Sequence, residues 1–234
     1  MKLVRYLDGG WESYGVLSSD EINVVCLPSL AKAMHRWLPS KIETFVTSGE
    51  RAIKTAEKLL EEAPEHAFRK NSVPVNKIRL LAPIACPPKI ICLGLNYRDH
   101  AAEQNAQIPD EPIIFLKPHT TIIGPDENIV KPKFVKKLDY EAELAIVIGR
   151  KGKNIPVSEA KKHIFGYTIL NDVSARDIQF KDKQWTRGKS FDTFAPNRTV
   201  HSNGKPDAGR AQPPNKNMGG RGTPPKFHNK KHGF

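Results

Sequence analysis

The chain has 234 residues, of which 38% are hydrophobic, and its 37 Lys and Arg outweigh 25 Asp and Glu for a formal net charge of +12. No run of about 18 apolar residues occurs, which excludes a spanning helix, and the opening MKLVRYLDGGWESYG mixes charge with apolar groups where a secretion signal needs an unbroken apolar stretch. Cys26, Cys86 and Cys92 form no Cys-x-x-Cys pair, so zinc ribbons and disulfide scaffolds are excluded and a reducing, cytoplasmic setting is expected.

In chain order, LVRYL, SYGVL and INVVCL read as three short strands separated by the turn-rich DGGWE and SSDE. Residues 49–63 carry Ala52, Ile53, Ala56, Leu59 and Leu60 at helical spacing with charges opposite, which predicts an amphipathic helix. Pro64 and Pro74 then interrupt regularity, so residues 1–75 are expected to form a small N-terminal domain ending in a linker. From residue 76 apolar runs at 89–95, 112–118, 141–149 and 165–172 alternate with polar loops, and helical candidates at 97–105, 157–163 and 174–183 are short. That pattern predicts a β-rich, mixed α+β domain with peripheral helices over 76–196, rather than βαβ repeats with long crossover helices.

Three clusters carry chemistry. Glu141 and Glu143 open the run EAELAIVIG, and residues two apart in a strand share a face. Leu144, Ile146 and Ile148 call for burial, so this strand is expected to be central. Two carboxylates there are costly unless a cation pairs them. Asp172, at the end of the next apolar run, would add a third carboxylate if the strands lie together, and three converging carboxylates suit Mg²⁺, Mn²⁺ or Ca²⁺; a solvated strand edge is the alternative. In GLNYRDHAAE, His100 and Glu103 would share a helix face, so that Glu103 could orient the imidazole as a general base or simply form a surface pair. In QWTRGKSFDT, Lys189 follows Gly188 and could neutralise a substrate carboxylate or a developing oxyanion, or sit at the surface.

Residues 197–234 differ from the rest. They hold eight Lys and Arg against one acid, six Gly, five Pro, and Val200 as their only Val, Ile or Leu. Such a segment cannot bury enough apolar surface to offset its ordering entropy and is expected to be disordered. Its charge suits a nucleic-acid-binding arm, although Phe227 and Phe234 are its only aromatics.

GLNYRDHAAE, PIIFLKP, DYEAELAIVIG, GYTILNDVSARDIQ and W-x-x-GKSFDTFAP, in that order across roughly residues 90–196, resemble the fumarylacetoacetate hydrolase family. The resemblance implies a β-roll- or barrel-like catalytic domain behind a small N-terminal domain, assembled as a homodimer. It implies an enzyme dependent on Mg²⁺ or Mn²⁺ that cleaves a C–C bond in an acylpyruvate or other diketo or 2-oxo acid, with decarboxylation or isomerisation of 2-oxo dienoates as variants of the same enolate chemistry. Carried over to this chain, it makes Glu141, Glu143 and Asp172 metal ligands, His100 and Glu103 a base dyad, and Lys189 the group that stabilises the anionic intermediate. Lys117, Arg176 and Gln179 become substrate-side or supporting residues.

The resemblance ends at Pro196. Joining the last two bases of each codon to the first of the next permits Ile-Gly-Pro at Asn197, Arg198 and Thr199, and forces a tryptophan codon at Met218 and Gly219. The tail therefore reads as out-of-frame translation after a frameshift near codon 196, which displaces the nucleic-acid reading. A β-rich domain lacking later strands is expected to keep unpaired edges and an open core, and the 234-residue chain to melt without cooperativity and to lack activity.

Overall fold

The computed structural model describes residues 1–98, 107 and 109–202. Strands β1 (Lys2–Asp8) and β2 (Trp11–Leu17) form a hairpin whose two-residue turn is Gly9 and Gly10, both at positive φ (53° and 90°). That turn matches the right-handed twist of the flanking strands, and glycine reaches it without a Cβ penalty. β3 (Asn23–Cys26) pairs with β2, and β4 (Ser72–Pro74) with β3. The three strands expected at the N-terminus are all present.

Helices α1 (Leu27–Ala33), α2 (Ile42–Thr47), α3 (Glu50–Glu62) and α4 (Glu65–Lys70) follow. Pro28 enters the first turn of α1, where its missing N–H costs nothing. The buried stripe of α3 is Ala52, Ile53, Ala56 and Leu59, as its spacing predicts, while Leu60 is half-buried. β5 (Arg79–Leu81) then pairs with β1.

In the second half, β6 (Ile90–Gly94) and β7 (Ile113–Lys117) make an antiparallel ribbon. β8 (Ile122–Ile123) and β9 (Leu138–Asp139) are short. β10 (Ala142–Ile148) pairs with β11 (Ile164–Asn171), and a 3₁₀ turn, Val157–His163, lies between them in sequence. β12 (Ser174–Ala175) pairs with β9 and leads into α5 (Arg176–Asp182) and α6 (Trp185–Lys189). β13 (Ala195–Pro196) runs parallel to β8. Mixed sheets with short peripheral helices are the α+β architecture expected, and none of the described helices is long and apolar enough to cross a membrane.

Two features differ from the sequence reading. β14 (Val200–Ser202), inside the segment expected to be disordered, pairs with both β1 and β11. Val200 is fully buried there, so one β-branched residue and two flanking hydrogen-bonded neighbours suffice to continue a sheet that already exists. The main sheet consequently runs β10-β11-β14-β1-β2-β3-β4, with β5 beside β1, and joins residues 1–75 to the later segment. Its core mixes both parts: Leu3, Tyr14, Leu30, Ile42, Phe45 and Ala56 pack with Phe165 and Val200. Phe45 bridges them, its ring 5.5 Å from Tyr14 and 6.1 Å from Phe165.

The second correction concerns β10. It is the terminal strand of the sheet, not a central one, and Leu144, Ile146 and Ile148 are exposed. An apolar run tells that a strand has a face to bury and says nothing of whether a neighbour is there to bury it.

Candidate active site

The ends of β7, β10, β11 and α6 meet at one buried cluster of charge. Asp172 follows directly on β11 and donates its backbone N–H to the Glu141 carbonyl at 2.8 Å, which ties the two strand ends together. Its side chain is 2% exposed. Lys117, the last residue of β7 and also 2% exposed, donates to Asp172 Oδ1 at 2.6 Å; it further donates to the carbonyls of Val173 and Lys189. Lys189 donates from the other side, at 2.7 Å to Asp172 Oδ2 and 2.7 Å to Glu141 Oε2. Two ammonium groups thus share one buried carboxylate, the compensation that buried charges require. Burial still lowers the Lys117 pKa, with Asp172 opposing it.

Two glycines make this convergence possible. A Cβ at Gly188 would stand 2.9 Å from the Gln179 backbone nitrogen, so α6 approaches α5 this closely only without one, and Lys189 follows in the next position. A Cβ at Gly94 would stand 1.9 Å from Trp185 Cζ3. The Trp185 ring packs edge-on to Phe115, with centroids 5.7 Å apart, and Lys189 Nζ lies 4.9 Å from the Phe115 centroid. The Ser190 hydroxyl beside Lys189 is buried with no hydrogen-bond partner among the described residues.

Arg176, at the start of α5, holds the outer side of Glu141. It reaches Glu141 Oε1 at 2.5 Å, Asp139 Oδ2 at 2.9 Å and Gln179 Oε1 at 3.0 Å. Glu141 also receives the Lys189 ammonium, and its backbone N–H donates to Asn171 Oδ1 at 3.1 Å. Glu143 points to the same region. Burial, and then the charges of Glu141 and Asp172, push its carboxyl up to about 7, against Lys189 and a hydrogen bond from Tyr97. The Tyr97 hydroxyl also accepts the Leu144 N–H at 3.3 Å.

The structure therefore brings together seven residues singled out from the sequence: Lys117, Glu141, Glu143, Asp172, Arg176, Gln179 and Lys189. His100 and Glu103 lie outside the described residues. Sequence reasoning missed Tyr97, Asp139, Phe115 and Trp185. Asp139 carried a usable signal, since it stands two residues before Glu141 and four before Glu143 in the same alternating pattern. Tyr97 sits inside GLNYRDHAAE but carries no charge that drew notice.

Glu141, Glu143 and Asp172 are the side chains here that could hold a divalent cation. Among the described residues, no set of three His, Cys, Asp or Glu side chains stands together closely enough to bind one as placed. The donor chemistry nonetheless fits. Three carboxylates border one cluster, burial and then the charges of Glu141 and Asp172 hold Glu143 above the ordinary carboxylate range, and no described Lys or Arg forms an ion pair with Glu143.

Residues 89–205 match the family model described as fumarylacetoacetate (FAA) hydrolase, C-terminal. An oxaloacetate tautomerase, fahd2, mitochondrial, of Xenopus laevis is 49% identical over 161 residues, which is 68% of this chain and 49% of that protein. The crystal structure of a 5-carboxymethyl-2-hydroxymuconate delta-isomerase from Mycobacterium smegmatis superposes with a TM-score of 0.64 at 34% identity, covering 88% of this chain and 69% of that one. A fumarylacetoacetate hydrolase from psychrophilic Exiguobacterium antarcticum superposes with a TM-score of 0.67 at 30% identity, covering 86% and 66%. The chain spans about half the length of the curated relatives it matches.

Proposed function

The chain belongs to the fumarylacetoacetate hydrolase family, and from that premise we propose that its site performs enolate chemistry on a small 2-oxo diacid, interconverting keto and enol forms; this sets aside the expectation of an inactive chain that melts without cooperativity, because β14 joins β1 to β11 and buries Val200. The observation that carries this reading is the buried Lys189 ammonium, fixed at 2.7 Å from both Glu141 and Asp172 within the carboxylate cluster. An ammonium so anchored is preorganised against an oxygen that becomes negative as an enolate forms. The tautomerase and isomerase names of the relatives support proton transfer as the reaction.

Each residue has a part in the proposal. A Mg²⁺ or Mn²⁺ ion held by Glu141, Glu143 and Asp172 would supply Lewis-acid polarisation of the 2-oxo group. Lys189 neutralises the enolate oxygen. Lys117 keeps Asp172 and the Lys189 carbonyl in register, and Arg176, braced by Asp139 and Gln179, keeps Glu141 aimed inward. His100 with Glu103 would take the proton from the carbon next to the keto group, and that proton is returned at oxygen, so no water is consumed. The three cysteines are free thiols, which supports a reducing, cytoplasmic setting.

A second reading is hydrolysis of a C–C bond in an acylpyruvate through the same enolate, with His100 activating water. The likeness to a fumarylacetoacetate hydrolase favours it. Following oxaloacetate enol absorbance against acylpyruvate loss separates the two. Catalysed enol decay that Lys189→Met abolishes supports tautomerisation; acylpyruvate consumption without it supports hydrolysis. A melting transition raised by Mg²⁺ or Mn²⁺ and not in Glu141→Ala tests the ion site independently of turnover, and no shift in the parent chain overturns it.

A further inference from the structure

We infer that Tyr97 is a positioning residue of the carboxylate cluster: its hydroxyl aims the Glu143 carboxylate at the cation while leaving that carboxylate its charge. This rests on the ion site proposed above for Glu141, Glu143 and Asp172, and it adds a group that no motif in the sequence singled out.

The three carboxylates are held in different ways. Asp172 takes an ammonium on each oxygen, from Lys117 at 2.6 Å and from Lys189 at 2.7 Å. Glu141 takes Lys189 at 2.7 Å and Arg176 at 2.5 Å. Glu143 forms no ion pair with a described Lys or Arg, and the side chain that hydrogen-bonds it is Tyr97. The difference is chemical. An ammonium or guanidinium neutralises the carboxylate it fixes and competes with a metal ion for its lone pairs. A phenol is neutral at pH 7 and has one proton to give. It therefore orients one oxygen of Glu143 and leaves the negative charge and the remaining lone pairs for a cation.

The backbone holds the phenol where it can do this. Its oxygen accepts the Leu144 N–H at 3.3 Å. β10 ends the sheet, so no described strand is there to pair that amide from the outer side, and Tyr97 satisfies it instead. A hydroxyl accepts through a lone pair while donating its own proton. Glu143 and Leu144 are consecutive, so one Tyr97 oxygen serves both.

The approach to Tyr97 is also fixed. The chain leaves β6 at Gly94 and turns at Leu95, which stands at a φ of 52°. A bulky residue keeps that left-handed conformation only where its surroundings impose it. Trp185 packs on the Gly94 backbone at the root of the turn, and the Leu144 amide holds its far end.

Tyr97→Phe keeps the ring and removes the hydroxyl. Titrating the full 234-residue chain with Mn²⁺, and counting free ion by electron paramagnetic resonance, tests the inference. The dissociation constant is expected to rise about tenfold or more in Tyr97→Phe, the usual cost of losing a group that orients a metal ligand. It should stay at the parent value in Tyr140→Phe, whose side chain is exposed. In the ion-free chain the Leu144 amide should exchange with solvent faster in Tyr97→Phe than in the parent. An unchanged Mn²⁺ constant in Tyr97→Phe overturns the inference and leaves the ion site standing. A parent chain that binds no Mn²⁺ overturns the ion site and the inference with it. Equal exchange of the Leu144 amide in the two chains overturns the inference as well, because the hydroxyl would then not sit on β10.

Discussion

Lys117 and Lys189 hold opposite oxygens of one carboxylate, at 2.6 Å from Asp172 Oδ1 and 2.7 Å from Asp172 Oδ2. All three side chains are at most 3% exposed, so neither lysine can be replaced by water without reorganising the cluster. This shared anion ties β7, the end of β11 and α6 to one point.

Lys117→Met should therefore destabilise the chain by about 3 kcal/mol or more, because it strips one of two cations from a buried carboxylate. Lys162→Met, which breaks an exposed i, i+3 pair with Glu159, should change stability by about 0.5 kcal/mol or less. Urea unfolding of both variants in the same buffer measures the contrast, and equal effects would refute the buried-charge argument.

Lys189→Met is expected to lower kcat for enol–keto interconversion about 10²- to 10³-fold, the usual cost of losing one oxyanion donor. KM should change much less, since the group acts on charge that develops only as the enolate forms. A loss confined to KM would assign Lys189 to binding alone.

Gly94→Ala should destabilise by about 1–3 kcal/mol, because the new methyl stands inside the Trp185 ring. Trp185→Leu in the same chain should recover part of that loss by vacating the space, giving a coupling of about 0.5 kcal/mol or more in a double-mutant cycle. Additive effects would show that Trp185 does not lie on the Gly94 backbone.

Acid sensitivity should come in part from the Arg5–Glu12 pair across β1 and β2. Hydrogen bonds from Arg5 hold the Glu12 carboxyl below its ordinary value of 4.5. A carboxyl depressed in the folded state contributes stability in full above its unfolded pKa and loses it as pH falls through the folded one. Glu12 is half exposed, so the effect is about 1 kcal/mol at most. Glu12→Gln should flatten the stability profile below about pH 4.5 and leave it parallel to the parent above, as urea titrations across pH will show.

Cys86 should alkylate first at neutral pH. It is exposed, whereas Cys26 is buried and burial, with the Asp172 charge, pushes the Cys92 thiol up to about 12. Iodoacetamide followed by peptide mass spectrometry should find the label on Cys86 well before the other two; prior labelling of Cys92 would contradict its placement beneath the site.

Much of the site was legible because its chemistry is carried by rare letters at fixed spacing. Glu141, Glu143 and Asp172 announce themselves as charges inside or beside apolar runs, and the strands next to them fall within a residue or two of their predicted bounds, whereas Lys189 drew notice in a polar segment after Gly188 and lies at the end of a helix. Position within the sheet was not legible. Leu144, Ile146 and Ile148 read as core because hydrophobicity records a preference, while the neighbour that would satisfy it lies far away in sequence. β14 was hidden for the converse reason: Val200 sits among polar residues, and only the waiting edges of β1 and β11 make a strand of it. Asp139 and Tyr97 were passed over because each works through a partner, Arg176 and Glu143, that sequence does not place.

The place of β14 also sets an order of events during synthesis. Lys2 pairs with His201, so the first and last of the described strands become neighbours. At about 5–20 residues per second, β1 waits roughly ten to forty seconds for that neighbour to be made. The β1–β2–β3 meander can form at once, but its union with β10 and β11 is deferred until the ribosome has delivered β14. The time taken to translate the chain between β3 and β14 therefore sets how long the N-terminal sheet stands with that edge unfilled.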